Sequence, residues 1–245
     1  MVSPESQIVV SRLPPGIAVT IAFGLLGYLL QGVTRWGGVA GFLCALAIYV
    51  GLGPGGFATL VTVFVLTWIC TRLGSRRKQE LGLMQREGGR DAGQVFANVG
   101  AAAVFAALSL HWTVLAVASV AALAEAAADT SQSEIGEIAS QRAWLITSFR
   151  QVEPGTDGGV TAPGFLAGAA AAAITVAIAL VVHAVTLRQV LVAAIAAMGG
   201  TIIDSLLGAT LERRGLLNND GVNLLSTVSA GILALFLIRA ASIVN

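Results

Sequence analysis

Two acidic residues, Asp129 and Asp204, stand at the ends of long apolar runs, and each is followed directly by a hydroxyl residue, Thr130 and Ser205. Shortly after the first come Glu134 and the turn Pro154-Gly155-Thr156-Asp157-Gly158-Gly159-Val160. Mg²⁺ takes oxygen ligands and commonly uses one or two carboxylates together with substrate phosphates, so Asp129, Asp204 and Glu134 are the candidate ligands. Glycines allow backbone N–H groups to approach an anion, and this turn leads into an apolar run whose helical N-terminus would favour negative charge. Gly155, Thr156, Asp157, Gly158 and Gly159 are therefore a candidate phosphate cradle. Arg90 and Arg150 are candidate phosphate contacts, and Asn98, Ser205 and Asn223 are polar residues set close by in apolar segments. The chemistry these residue types suit is binding of a metal and a phosphate.

The elements that must position them lie in a bilayer. Of 245 residues, 56% are hydrophobic and only 11% charged, against roughly a quarter charged in a soluble domain. Mean hydropathy is +0.84. A span needs roughly 20 apolar residues, fewer where helices are short and packed. Residues 16–33, 36–52, 55–73, 94–110, 112–128, 160–183, 190–210 and 222–241 meet this, predicting an all-α, single-domain bundle over 1–245 with about eight crossings. The boundary near His111 is the weakest division, because a two-residue link separates the runs.

Orientation follows from positive charge. With eight crossings, all of the 14 Lys and Arg residues except Arg12, Arg188 and Arg239 fall on one side, which the positive-inside rule assigns to the cytoplasm. Loops 74–93 and 129–159 then face the cytoplasm and both termini face away. The first fifteen residues show no cleavable signal pattern. A prokaryotic inner or cell membrane is the expected location.

The same assignment collects Asn98, Glu125, Asp129, Asp204, Ser205 and Asn223 in one leaflet. Ionisable groups inside spans are costly and face a bundle interior or a watery cavity, so these residues describe a pocket open to the cytoplasm. Glu125 and Asp129, four apart, share a helix face; Glu125 suits a structural partner as well as a ligand. Ser131-Gln132-Ser133-Glu134 has capping-box spacing, predicting a helix break after Asp129 and a new start, with Glu134 either the cap or a ligand. Asp129-Thr130 and Asp204-Ser205 are each followed by an Asp-Gly turn leading to Val, Asp157-Gly158-Gly159-Val160 and Asp220-Gly221-Val222, which reads as a repeat of spans five–six in seven–eight.

Other features have plain readings. Arg72, Arg76, Arg77 and Lys78 anchor topology and attract anionic headgroups. Cys44 and Cys70 lie inside predicted spans as small core residues. His111 and His183 are interfacial. Gly37 with Gly41, and Gly164 with Gly168, have the spacing of close helix contacts. No P-loop, protein-kinase or nucleophile-elbow pattern is present, and no basic tract suggests nucleic acid.

Four segments together resemble the membrane-embedded family that contains plant phytyl-phosphate kinase and animal transmembrane protein 19. They are residues 89–98 (GRDAGQVFAN), 128–136 (ADTSQSEIG), 153–160 (EPGTDGGV) and 204–210 (DSLLGAT). The resemblance covers roughly residues 15–240. Gln132 stands where that family usually has Ala, and Asp157, which adds a negative charge to the cradle, where it usually has Asn.

The resemblance implies Mg²⁺-dependent transfer of a phosphoryl group from a nucleoside triphosphate, often CTP, to an isoprenyl monophosphate such as phytyl phosphate, giving the diphosphate. The expected partners are the nucleotide, the isoprenyl phosphate and the bilayer; nothing in the residues fixes an oligomeric state. The residue reading fits, since one substrate is lipid and the other cytoplasmic and polyanionic. A CTP-dependent cytidylyltransferase would use the same pocket and release pyrophosphate. A lipid transporter would be expected to place its polar groups near the midplane.

Overall fold

The computed structural model describes residues 3–73 and 89–243. Arg76, Arg77, Lys78 and Arg86, with most of the 74–93 loop, lie outside the described residues. Among the described residues seven helical elements make up the bundle: α1 (Pro4–Leu29), α2 (Arg35–Arg72), α3 (Ala92–Leu108), α4 (Leu115–Ala139), α5 (Ala162–Val181), α6 (Leu187–Leu207, continued by a π-helical turn Gly208–Glu212) and α7 (Asn219–Ile243).

Helix α2 is broken in the middle. Gly53 has φ +71° and ψ −165°, and Pro54 follows. Proline has no N–H for the carbonyl four residues back, so the Val50 carbonyl loses its helical donor. Arg12 replaces it, donating from Nη1 to the Val50 and Gly51 carbonyls at 2.8 Å each. The two arms fold back on one another: Trp68 Nε1 and Arg72 both donate to the Leu30 carbonyl, just ahead of the first arm.

Among the described residues five helices are long and apolar enough to cross a membrane: Pro4–Leu29, Arg35–Arg72, Ala162–Val181, Leu187–Glu212 and Asn219–Ala241; Ala92–Leu108 is a shorter apolar helix. Each of the eight apolar runs in the sequence coincides with a helical segment once α2 is counted as two arms; the five helices long and apolar enough for a crossing, with α2 taken whole, do not by themselves establish eight crossings. Leu29, Trp36, Leu187 and Phe236 are among the large apolar side chains on the outside. Exposed apolar surface on this scale belongs in lipid.

Helix α4 is the centre. Its residues from Val117 to Ala128 are buried on every side, which a helix rich in alanine permits, since alanine is both the best helix former and small. Helix α5 lies closest: a Cβ on Gly164 would strike the Gln132 carbonyl, and one on Gly168 would come within 2.9 Å of the Ala128 carbonyl. Ser119 ties α4 to the Ala102 carbonyl of α3 at 2.8 Å, and Thr227 ties α7 to the Ala97 carbonyl at 3.2 Å.

The expected helix break after Asp129 is absent. Helix α4 continues through the Ser-Gln-Ser-Glu segment to Ala139, because its hydroxyls are engaged without a cap. Ser133 donates to the Asp129 and Thr130 carbonyls within the same helix, and Ser131 accepts from Cys70. Residues 129–159 are thus only partly a loop. Beyond Ala139 the chain forms a three-stranded sheet, β1 (Ala143–Leu145), β2 (Gln151–Val152) and β3 (Gly159–Val160), in the order β2-β1-β3 with both pairings antiparallel. This small sheet is an addition to the all-α reading.

The exposed end of this segment gives a test of orientation. In a background with Cys44 and Cys70 replaced, Gln141→Cys is expected to react with an impermeant maleimide only after cells are opened. Labelling of intact cells would reverse the orientation.

Candidate functional site

One wall of the site begins with a strap. Residues 89–91 lie against the α1–α2 connection: Arg90 N–H donates to the Gly32 carbonyl at 3.0 Å, and Thr34 N–H donates to the Arg90 carbonyl at 2.9 Å. A Cβ on Gly37 would strike that same carbonyl. Asp91 then opens α3, accepting from Gln94 N–H at 3.0 Å while Gln94 Oε1 accepts from Asp91 N–H at 3.1 Å. With its backbone fixed on both sides, the Arg90 side chain reaches across to α4 and donates to Thr130 Oγ1 at 3.1 Å. Burial works to lower the pKa of the Arg90 guanidinium, while the neighbouring carboxylates Glu134 and Asp129 oppose this and hold its charge. Arginine remains protonated in such a setting.

Helices α4 and α6 bring the two aspartates together. The carboxyl groups of Asp129 and Asp204 lie side by side, and Glu125 lies within electrostatic reach of both. Gly200 makes this approach possible, since a Cβ there would come within 2.5 Å of Glu125 Cγ. Gln132 Nε2 donates to Ser205 Oγ at 3.4 Å, a second link between the helices. Among the described residues, both oxygens of Glu125, Oε1 of Gln132 and Oδ2 of Asp204 are buried without a hydrogen-bond partner. Adjacent buried carboxylates repel unless a cation or a proton lies between them.

Asp129, Gln132, Asp204 and Ser205 bound a cavity of about 190 Å³. Asp129, Asp204, Glu134, Arg90, Asn98, Ser205, Asn223 and the turn residues Gly155, Thr156, Asp157, Gly158 and Gly159 all line it. Arg150 does not. It is exposed beside β2, where its carbonyl accepts from Leu145 N–H in the hairpin; the short sheet turns this residue away from the aspartates. Glu212 was not anticipated from the sequence and lines the cavity from the π turn. The extra residue per turn in that segment alters the helical spacing on which a face assignment from Asp204 would depend.

The glycine-rich turn has a different basis from the one its composition suggests. Gly159 N–H donates to the Thr156 carbonyl at 2.8 Å, and Thr156 N–H to the Glu153 carbonyl at 3.2 Å. Those amides close the turn itself. Gly158 has φ +72°, and a Cβ there would run into the backbone of Ala209 at the start of the π turn. The glycine therefore lets the turn sit directly on α6, carrying Thr156 and Asp157 to the cavity wall.

The Asp-Gly repeat does not extend to structure. Asp157-Gly158 lies in a loop between strands, whereas Asp220-Gly221 lies in the first turn of α7.

Among the described residues, no three His, Cys, Asp or Glu side chains are grouped so as to hold a metal by themselves. The paired carboxylates of Asp129 and Asp204, with one buried oxygen left over, still fit a Mg²⁺ ion, which takes one or two carboxylates and completes its shell with water and substrate phosphate. Glu134 lines the same cavity near Arg90.

Comparison with known proteins follows the same outline. The family model described as integral membrane protein DUF92 matches residues 18–231. An uncharacterized membrane protein of Methanocaldococcus jannaschii is 32% identical over 181 residues, covering 73% of this chain and 74% of the relative. Protein PGR of Arabidopsis thaliana is 30% identical, covering 83% and 80%. The chloroplastic protein VTE6 of Arabidopsis thaliana is 27% identical, covering 85% and 66%. No solved structure matches. The chain belongs to the DUF92 family of integral membrane proteins.

Proposed function

We propose that the protein transfers the γ-phosphoryl group of a nucleoside triphosphate, with CTP the expected donor, to an isoprenyl monophosphate of the phytyl type at the cytoplasmic membrane surface. The observation that carries this reading is the cavity in which Asp129 and Asp204 lie beside Arg90, under the Thr156–Asp157 turn and where the apolar stretches of α4 and α6 end. The four sequence segments that resemble the phytyl-phosphate kinase family supply most of its wall, and the 27% identity with chloroplastic VTE6 supports the same reading. The eight-crossing arrangement, with α2 contributing two arms, is part of this proposal.

In this reaction an oxygen of the acceptor monophosphate attacks the γ-phosphorus. The bond from that phosphorus to the β-bridging oxygen breaks, and the nucleoside diphosphate leaves. The acceptor is already an anion, so no strong general base is needed, and positioning with charge compensation carries catalysis. Asp129 and Asp204, with Glu134 nearby, would hold Mg²⁺, which when bound neutralises phosphate charge. Arg90 holds a phosphate by its planar donor fork. Thr156 and Ser205 offer hydroxyls, and Asn98 and Asn223 offer amides, along the walls of the cavity. The closeness of α5 to α4 keeps Asp129 from drifting away from Asp204.

Incubation of purified protein with Mg²⁺, a panel of nucleotides and prenyl monophosphates, followed by mass spectrometry, tests the reading. Prenyl diphosphate should form; its absence with every donor and acceptor would contradict it. Arg90→Ala is expected to raise the KM for prenyl phosphate at least about tenfold, the scale of one charge-assisted hydrogen-bonding contact. Arg90→Lys should recover only part, since an ammonium keeps the charge but loses the fork. Steady-state kinetics with each substrate varied in turn checks this.

A further inference from the structure

A second and larger cavity, of about 670 Å³, opens beside the polar site and shares Arg90, Gln94, Asn98 and Glu134 with it. It runs between α1 and the two arms of α2 and is mainly apolar along its length. Its size is within the roughly 300–1,000 Å³ of pockets that enclose a small ligand. Leu60 and Thr71 both line it, and the intervening residues of the second arm span roughly 16 Å at 1.5 Å per residue. Phe23 lies at the deep end, edge-on to Phe57 and Phe64 at 5.4 and 5.2 Å between ring centroids. At the other end Arg72 lies over the Trp68 ring at 4.5 Å, and Arg90 leads into the carboxylate pocket.

The glycines along this cavity separate into two kinds. Gly37 is pressed against the Arg90 carbonyl, and a Cβ on Gly32 would come within 2.9 Å of the Phe64 ring. Gly38 and Gly41 have no such neighbour: their nearest contacts would be 3.8 Å to the Gly24 carbonyl and 3.9 Å to Val95 Cγ1. The Gly37–Gly41 spacing therefore marks a close contact at Gly37 only, and its partner there is the strap carbonyl of Arg90. Gly38 and Gly41 leave a channel where a side chain would fit.

We infer that this groove receives the hydrocarbon chain of the prenyl phosphate, with the phosphate at Arg90 and with Gly38 and Gly41 setting the room for a long branched chain. This rests on the proposed phosphoryl transfer for the identity of the lipid. Charge selects this groove over the other apolar hollow near the site, of about 350 Å³ beside Phe165 and Trp144, which has no cationic side chain in its wall. The occupant is a lipid with an anionic head, and the groove is continuous with the place where its phosphate would react.

Binding and turnover test this separately. Retention of geranylgeranyl monophosphate by the purified protein in detergent, without nucleotide, is measured by native mass spectrometry for wild type, Gly41→Ala, Gly41→Leu, Gly38→Leu and Phe165→Ala. Gly41→Leu and Gly38→Leu should weaken retention at least tenfold, and Gly41→Ala by less, with thermal unfolding unchanged for Gly41→Ala. In turnover, the leucine variants should raise the KM for the geranylgeranyl substrate while leaving that for isopentenyl monophosphate within about twofold. A leucine variant that fails to fold leaves Gly41→Ala to decide the matter, since its added Cβ makes only an ordinary contact. Unchanged long-chain retention in Gly41→Ala and the folded leucine variants would overturn the groove assignment. Loss confined to Phe165→Ala, or equal retention of phosphatidylglycerol by the wild type, would do the same. Wild-type protein that retains the prenyl phosphate in a Gly41-dependent way but transfers nothing to it would sink the kinase reading and leave the groove standing.

Discussion

Asparagine at position 129 or 204 is expected to lower phosphoryl transfer at least about a hundredfold, the scale on which removing one group that stabilises transition-state charge acts. The substitution keeps side-chain size and deletes the charge. It should therefore spare the fold, and relief of repulsion between two neighbouring carboxylates should leave thermal stability equal or higher. The double variant should be little worse than either single one, because residues acting as a unit are strongly non-additive. The structure supplies the reason to expect a unit: α4 and α6 bring the two carboxyl groups into contact, with one oxygen of Asp204 buried and unpartnered. Rates measured at saturating substrates across a Mg²⁺ titration check this. Multiplicative losses, or one variant with substantial Mg²⁺-dependent turnover, would show that the two carboxylates do separate jobs.

Valine at position 158 should be nearly as damaging by another route. Gly158 has positive φ, and its missing side chain leaves room for Ala209. A Cβ would add backbone strain on the order of 1–3 kcal/mol and push the turn off α6, taking Thr156 and Asp157 with it. The nucleotide KM should rise at least about tenfold, or activity should vanish, and Gly158→Ala should fail in the same direction. Gly215 is a control, since it also has positive φ but nothing lies within 4 Å of its missing Cβ. Gly215→Ala should carry a similar backbone strain in thermal stability yet keep the nucleotide KM close to wild type. Full nucleotide affinity in Gly158→Val would remove the turn from the site.

Much of this arrangement is legible in the chain. Long apolar runs mark the helical segments because hydrocarbon demands internally satisfied backbone. Asp129 and Asp204 stand out because charge is rare in such runs. The failures have local causes. The Ser131–Glu134 segment reads as a helix start, yet hydroxyl side chains can bond back within a helix as well as cap one, and the close seat of α5 keeps α4 continuous. The strands β1 to β3 are two or three residues long, too short to leave an alternating pattern, so the sheet that turns Arg150 away has no signature. Glu212 depends on a π turn that spacing does not reveal. The gap beside Gly41 depends on which neighbour is missing, and a GxxxG count cannot distinguish contact from space.

The position of label in the lipid product tests the central claim most directly. Purified protein, Mg²⁺ and a prenyl monophosphate are incubated with CTP carrying radiophosphorus at either the γ or the α position, and the extracted lipid is counted. The account predicts label in prenyl diphosphate from γ-labelled CTP only, with CDP released in equal amount. Label carried into the lipid from α-labelled CTP, with release of pyrophosphate, would contradict it and make the same pocket that of a cytidylyltransferase.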